Sequence, residues 1–205
     1  MKNLLLITLC FINFSGFCQT DQVLRTVFGD QSNFAIMNLM EHKQPEKIFI
    51  LNKTRTWDYE IFWPELLGDE TVEQLQNLAG DKTEGYDPEY LFRDPKIKKL
   101  INARERKSLK RRTTWIKSKK IILSGKSYST VSSPERLSGF YVSTTEPVLT
   151  TDGKYAFVKI DVFFKEGIEE DTDPWSPYFA VIDLIYEKQK DLSWKRIQRI
   201  GRLIL

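Results

Sequence analysis

The sequence predicts an α+β domain in which N-terminal helices and short strands pack on a C-terminal antiparallel meander sheet. Three observations carry that reading. Apolar residues recur at helical spacing in the first quarter of the chain. From residue 119 onward the segments "KKIILS", "GFYVST", "KYAFVKIDVFFK", "YFAVIDLIYEK" and "SWKRIQRIGRLIL" are rich in β-branched and aromatic residues, several with a period of two. Turn chemistry such as "TTDGK" at 150–154 joins them at hairpin or meander distances.

The chain opens with "MKNLLLITLCFINFSGFCQT", in which Lys2 precedes an apolar stretch from Leu4 to Phe14 interrupted only by Thr8 and Asn13. That order is the layout of a secretory signal peptide. At about 11 residues the stretch falls short of the roughly 20 needed to span a bilayer as a helix. Gly16 and Cys18 supply the small residues that signal peptidase requires, so residues 1–18 are expected to be removed, leaving 19–205 as a single α+β domain exported to the periplasm or the medium. Lipidation of Cys18 is the alternative; bulky Phe17 stands where a lipoprotein signal places a small residue.

Residues 20–43 read as helical. Val23, Leu24, Val27 and Phe28 form one apolar stripe, and Phe34, Ile36, Met37, Leu39 and Met40 a second after the "GDQSN" break. "KIFILNKT" reads as a strand, as does "RTWDYEIFWP", where Trp57, Tyr59, Ile61 and Trp63 alternate with Asp58 and Glu60. A helix is expected over 69–79, with Thr71 and Gln74 at capping-box spacing and Gly80 to end it. Another is expected from Pro95, burying Ile97, Leu100 and Ile101. In the longest strands Ala156, Val158, Ile160, Val162 and Phe164 share a face, as do Ala180, Ile182, Leu184 and Tyr186. The alternate positions, with Lys159, Asp161, Lys165, Asp183 and Glu187, predict a wetter second face, so the helices are expected on one side of the sheet.

Residue counts exclude several chemistries. Cys10 and Cys18 are the only cysteines and both lie in the predicted signal, so the exported chain has no disulfide, thiolate nucleophile or cysteine metal site. His42 is the sole histidine, too few for a multi-histidine zinc site, and its polar surroundings "MEHKQPEK" predict a solvated side chain. "SGKS" at 124–127 lacks the glycine that a phosphate-binding loop needs five positions before Gly125, where Lys120 stands. No cofactor is implied. "NKT" at Asn52 matches the N-glycosylation pattern, relevant only in a eukaryotic secretory pathway.

Three candidate sites follow. The acidic loop "EGIEEDTDPWSP" offers Glu169, Asp171 and Asp173 as oxygen ligands for weak calcium binding, although their spacing is not that of a known calcium loop. Trp57, Asp58, Glu60 and Trp63 combine aromatic rings with two carboxylates, the ingredients of a glycan-hydrolysing site; the plainer account sends the rings to the core and the acids to water. The third is the run "KIKKLINARERKSLKRRTTWIKSKK" at 96–120, with twelve Lys or Arg and one acid, Glu105, in which Lys107, Lys110, Arg111 and Arg112 are the candidate contacts for an anionic surface. Clustered cations near Trp115 are also a nucleic-acid signature. Against it stand the predicted export and the chain's own counter-charge: residues 58–94 hold eleven acids and two bases, and the whole sequence carries a net charge of only +3.

The segments "STTEPVLTTDGKYAFVKI" and "IDLIYEKQKDLSWKRI", with Pro147, Asp152, Gly153, Tyr155, Ala156, Tyr186, Glu187, Lys188, Trp194 and Lys195, together with "GFCQ" at the end of the signal, resemble a pattern in small exported proteins of Bacteroidota. The likeness covers the last third of the chain and implies export without implying an activity. Helices followed by a meander are also similar to the NTF2-like cone fold, which implies a curved sheet around a pocket. The expectation is a non-catalytic exported protein that binds an envelope component or a small ligand. The alternatives are a carboxylate-dependent glycan hydrolase and attachment to an anionic surface through residues 96–120.

Overall fold

The computed structural model describes residues 19–39, 42–57, 99, 101–134, 137–165 and 178–204. The predicted signal peptide, the helix expected over 69–79 and most of the one expected from Pro95, with Ile97 and Leu100, lie outside them; the described helix of that region starts later, at Ala103. Among the described residues three helices and a seven-stranded mixed sheet form an α+β fold. The first helix, α1, spans 19–29, and its stripe of Val23, Leu24, Val27 and Phe28 is fully buried. It ends at Gly29. Asp30 then caps a 3-10 helix, Gln31–Asn38, by accepting a hydrogen bond from the Ser32 N–H (3.0 Å).

This second helical piece is tighter than the α-helix that the spacing predicts. Asn33 explains its constraint: the side-chain amide donates to the Val27 carbonyl (2.7 Å) and to the Tyr186 hydroxyl (2.8 Å), tying the segment both to α1 and to the sheet. Phe34, Ile36 and Met37 are buried beside it.

The sheet runs β2 (Tyr128–Val131), β1 (Ile48–Leu51), β3 (Gly139–Thr144), β5 (Tyr155–Lys165), β6 (Tyr178–Lys188) and β7 (Trp194–Leu203). Strands β5, β6 and β7 form the expected antiparallel meander. The other half differs from expectation, because β1 is parallel to both of its neighbours, β2 and β3. A parallel pair needs a long crossover, and residues 52–127 supply it. A short strand, β4 (Val148–Leu149), continues along the edge of β5 that β3 occupies. Between them the register slips by one residue, from Thr144 opposite Ile160 to Val148 opposite Phe157, at the position of Pro147, which has no N–H to donate. "KKIILS" is extended without joining a ladder; Ile121 and Leu123 are buried and Ile122 points out.

Both faces of the central strands are covered, which corrects the expectation of a wet second face. On one side Ala156, Val158, Ile160 and Val162 pack with Ala180, Ile182, Leu184 and Tyr186 beneath α1 and the 3-10 helix. On the other, Tyr155, Phe157 and Ile185 meet Val148, Trp57, Ile101 and Leu109, the last from α2 (Ala103–Thr113). Helices therefore lie on opposite faces. Lys159 and Asp161, placed by alternation on the solvated side, are 4% and 2% exposed. His42 likewise departs from its predicted solvation: its ring centroid lies 4.0 Å from that of Phe164 and 5.5 Å from those of Phe140 and Phe179.

Leu109 is the fully buried apolar anchor of α2, so Leu109→Ala is expected to destabilise the protein by about 2–5 kcal/mol in urea unfolding, whereas Leu39→Ala, at an exposed site, is expected to shift stability by less than about 0.5 kcal/mol. Equal effects would mean that Leu109 does not anchor the helix.

Candidate functional site

Helix α2 begins where the Asn102 side chain accepts a hydrogen bond from the Glu105 N–H (3.0 Å), after buried Ile101. Glu105 lies in its first turn and Lys110, Arg111 and Arg112 in its last, a charge order that complements the helix dipole. Leu109 and Thr113, four residues apart, face inward and are buried.

Arg112 shares that inner side. Its guanidinium donates to Glu105 Oε1 (2.6 Å), to the Leu149 carbonyl and to Thr151 Oγ1 (3.4 Å). Glu105 in turn accepts from the Thr151 N–H at 2.7 Å and hydroxyl at 3.1 Å. The two residues fasten α2 to the turn between β4 and β5.

The opposite side is different. Arg104, Lys107 and Arg111 are exposed and follow one another at spacings of three and four, so they form a single stripe along the helix. Trp115, four residues further on, continues it; its side chain is 80% exposed while its N–H is held by the Arg112 carbonyl (3.0 Å). Of the four cations singled out in the sequence, Lys107 and Arg111 belong to this stripe, Lys110 is half-buried, and Arg112 is a structural fastener rather than a surface contact. Composition missed Arg104 as a member; the helical spacing of 104, 107, 111 and 115 is the signal that finds it.

Beyond the helix the basic segment is pinned by backbone. The Lys119 N–H donates to Thr54 Oγ1 (2.9 Å) and the Thr54 N–H to the Lys119 carbonyl (2.9 Å). Lys119 Nζ meets Glu146 Oε1 at 2.6 Å, so this cation is neutralised. Lys117, Lys120 and Lys53 are exposed, as is Ile122 at 73%.

The covered face of the meander carries a separate ionic cluster. Asp161 accepts from Arg55 Nη1 at Oδ2 and from the Tyr178 hydroxyl at Oδ1, with the Ser143 hydroxyl 3.4 Å from Oδ2. Burial first, and the adjacent carboxylate second, hold the Tyr178 hydroxyl well above the ordinary tyrosine range. Tyr186, buried against Asn33 on the other face, is pushed up to about 12 by desolvation. Lys159 and Asp183 are register partners on β5 and β6, the latter 1% exposed. Asp161 and Asp183 therefore sit diagonally on one sheet face, at a spacing that two catalytic carboxylates can use. Asp161, however, has donors on both oxygens and is committed to holding Arg55 and Tyr178 in place.

The remaining sequence candidates divide. Trp57 is core: it is 4% exposed and its indole N–H donates to the Glu146 carbonyl (2.8 Å), so it offers no stacking platform. Asp58, Glu60 and Trp63 lie outside the described residues, as do Glu169, Asp171 and Asp173. Comparison with protein-family models, curated proteins and solved structures finds no match for the chain.

Asp161→Ala strips a buried carboxylate from two donors and is expected to cost about 3 kcal/mol in urea unfolding at neutral pH, against about 1 kcal/mol for Tyr178→Phe, which leaves the ion pair intact. The raised tyrosines also set an alkaline limit. Above pH 10, the unperturbed tyrosine value, the unfolded chain releases phenolic protons that Tyr178 and Tyr186 keep in the folded state. The folded state then binds more protons than the unfolded one, so stability, complete below pH 10, falls as the pH rises towards the folded values. Tyr178→Phe is expected to shallow that fall in unfolding curves taken at successive alkaline pH values; an unchanged slope would mean that Tyr178 ionises alike in both states.

Proposed function

We propose that the protein is an exported, non-catalytic binding protein that attaches to an anionic surface of the cell envelope through the outer face of α2. One observation carries the reading: Arg104, Lys107 and Arg111 line a single exposed stripe that ends in Trp115, while Arg112 and Lys119 of the same basic run are engaged in ion pairs on other sides. The cations are sorted by direction. Arg112 and Lys119 are paired within the protein, whereas Arg104, Lys107 and Arg111 face water.

The net charge of +3 keeps this attraction local to one face of the molecule. A nucleic acid partner is disfavoured by the predicted export. A ligand within the concave face of the meander is disfavoured by packing, because β5 and β6 are covered on both sides by the chain's own residues. Asp161 and Asp183 are disfavoured as a hydrolytic pair, because both oxygens of Asp161 are engaged.

Each cation held at an anionic surface contributes about 1 kcal/mol, so replacing Arg104, Lys107 and Arg111 together by Ala is expected to weaken binding to envelope fractions roughly 100-fold at low ionic strength. The wild-type protein is expected to lose most of its binding between low and physiological ionic strength. Sedimentation with envelope fractions measures both. Binding that survives the triple substitution and ignores salt would remove the proposal.

A further inference from the structure

We infer that the anionic surface is a lipid bilayer and that Trp115 is the side chain that enters its headgroup region, an inference that rests on the attachment proposed above. A stripe of cations alone suits any polyanion. What narrows the class is two exposed apolar side chains, Trp115 at the end of the stripe and Ile122 close to Lys120 in the chain.

Trp115 stands at the end of the stripe with its ring in water. Its outward direction is fixed by the chain on either side: the Trp115 N–H is bound to the Arg112 carbonyl at 3.0 Å and the Ile116 N–H to the Thr113 carbonyl at 3.2 Å, while Thr113 is buried and Ile116 packs on the second core cluster. Indole is the ring most suited to a membrane interface, having an apolar body and one polar N–H that stays near the headgroups. Arg111, four residues before it, and Lys117, two after, are exposed and have stems long enough to reach lipid phosphates while the ring sits deeper.

Ile122 separates a bilayer from the other polyanions. It is held outward by its buried neighbours Ile121 and Leu123, whose backbone groups bond to Asn52 and Thr130. An exposed tryptophan can stack on a sugar or a nucleobase, but an aliphatic side chain has no π-face to offer either. Hydrocarbon rewards both. Lys120 and Lys53, paired across an isolated bridge, add exposed positive charge close to Ile122 in the chain and across that bridge. No helix among the described residues is long and apolar enough to cross a membrane; the contact inferred here is one of side chains with the headgroup region.

The test uses the protein with vesicles of phosphatidylglycerol and phosphatidylcholine, vesicles of phosphatidylcholine alone, and dextran sulfate as a soluble polyanion. Binding to the anionic vesicles is expected, with a blue shift of tryptophan emission and quenching by lipids brominated on the acyl chain. Both signals are expected to disappear in Trp115→Phe, which identifies the ring. Trp115→Ala is expected to weaken vesicle binding about tenfold and to leave dextran sulfate binding unchanged, with thermal unfolding confirming an intact fold. Binding to dextran sulfate with none to vesicles would overturn the bilayer inference and leave surface attachment standing. So would vesicle binding without quenching by the brominated lipid. Binding to neither probe would overturn both.

Discussion

The direction in which α2 faces is decided by one fastening. Arg112 reaches back to Glu105 and across to the Leu149 carbonyl, and Glu105 holds the backbone and hydroxyl of Thr151. Leu109 and Thr113 are buried beneath the same side. Turning the helix by one residue, about 100°, would carry Leu109 towards water and a charged neighbour into the core. The rotation is thus locked by burial on one side and by charge-assisted hydrogen bonds at the helix end. The exposed stripe is what this lock leaves over, and its geometry is as rigid as the core that sets it.

The same helix changes the character of the sheet. Leu109 packs with Phe157 and Ile185 on the second face of β5 and β6, and further along that face Lys159, Asp161 and Asp183 are buried where charge needs compensation. Asp161 finds it in Arg55, whose guanidinium is half-exposed, and in Tyr178. Because Arg55 keeps part of its hydration, the pair is less penalised than one wholly removed from water. Its role in the fold is to tie the segment after β1 to the middle of the meander, since the Arg55 N–H also bonds to the Thr144 carbonyl at 2.8 Å. Two chain segments more than a hundred residues apart are joined at this point.

Much of the fold was legible from residue spacing, and the parts that were not have identifiable causes. Strands β3, β5, β6 and β7 and helix α1 announce themselves because each is long or strongly periodic. β2, "YSTV", is four residues rich in hydroxyls, and β4 is two residues after a proline; neither leaves a periodic trace. The direction of β1 is set by its crossover rather than by its own composition, so its parallel pairing was invisible. Alternation in β5 correctly sorted residues between two faces, yet no local pattern says whether the polar face is later covered. Within the basic run, Arg111 and Arg112 are chemically identical neighbours pointing about 100° apart, one to water and one to Glu105. Composition sees a run, whereas the fold sees a stripe and a fastener.

A stripe on a packed helix behaves differently from an equally basic flexible tail. A disordered segment must be ordered when it binds, which subtracts from the attraction of its charges. Here the ordering is already supplied by Leu109, Thr113 and Arg112, so the proposed attachment of the outer face would proceed without that loss. Three charges and one ring are too few for permanent anchoring, and with a Debye length of about 8 Å at physiological salt their reach is short. That combination favours contact made at close range and readily undone. It also separates two parts of the fold, the meander covered on both faces and α2, which is fastened beside it and carries the proposed attachment surface.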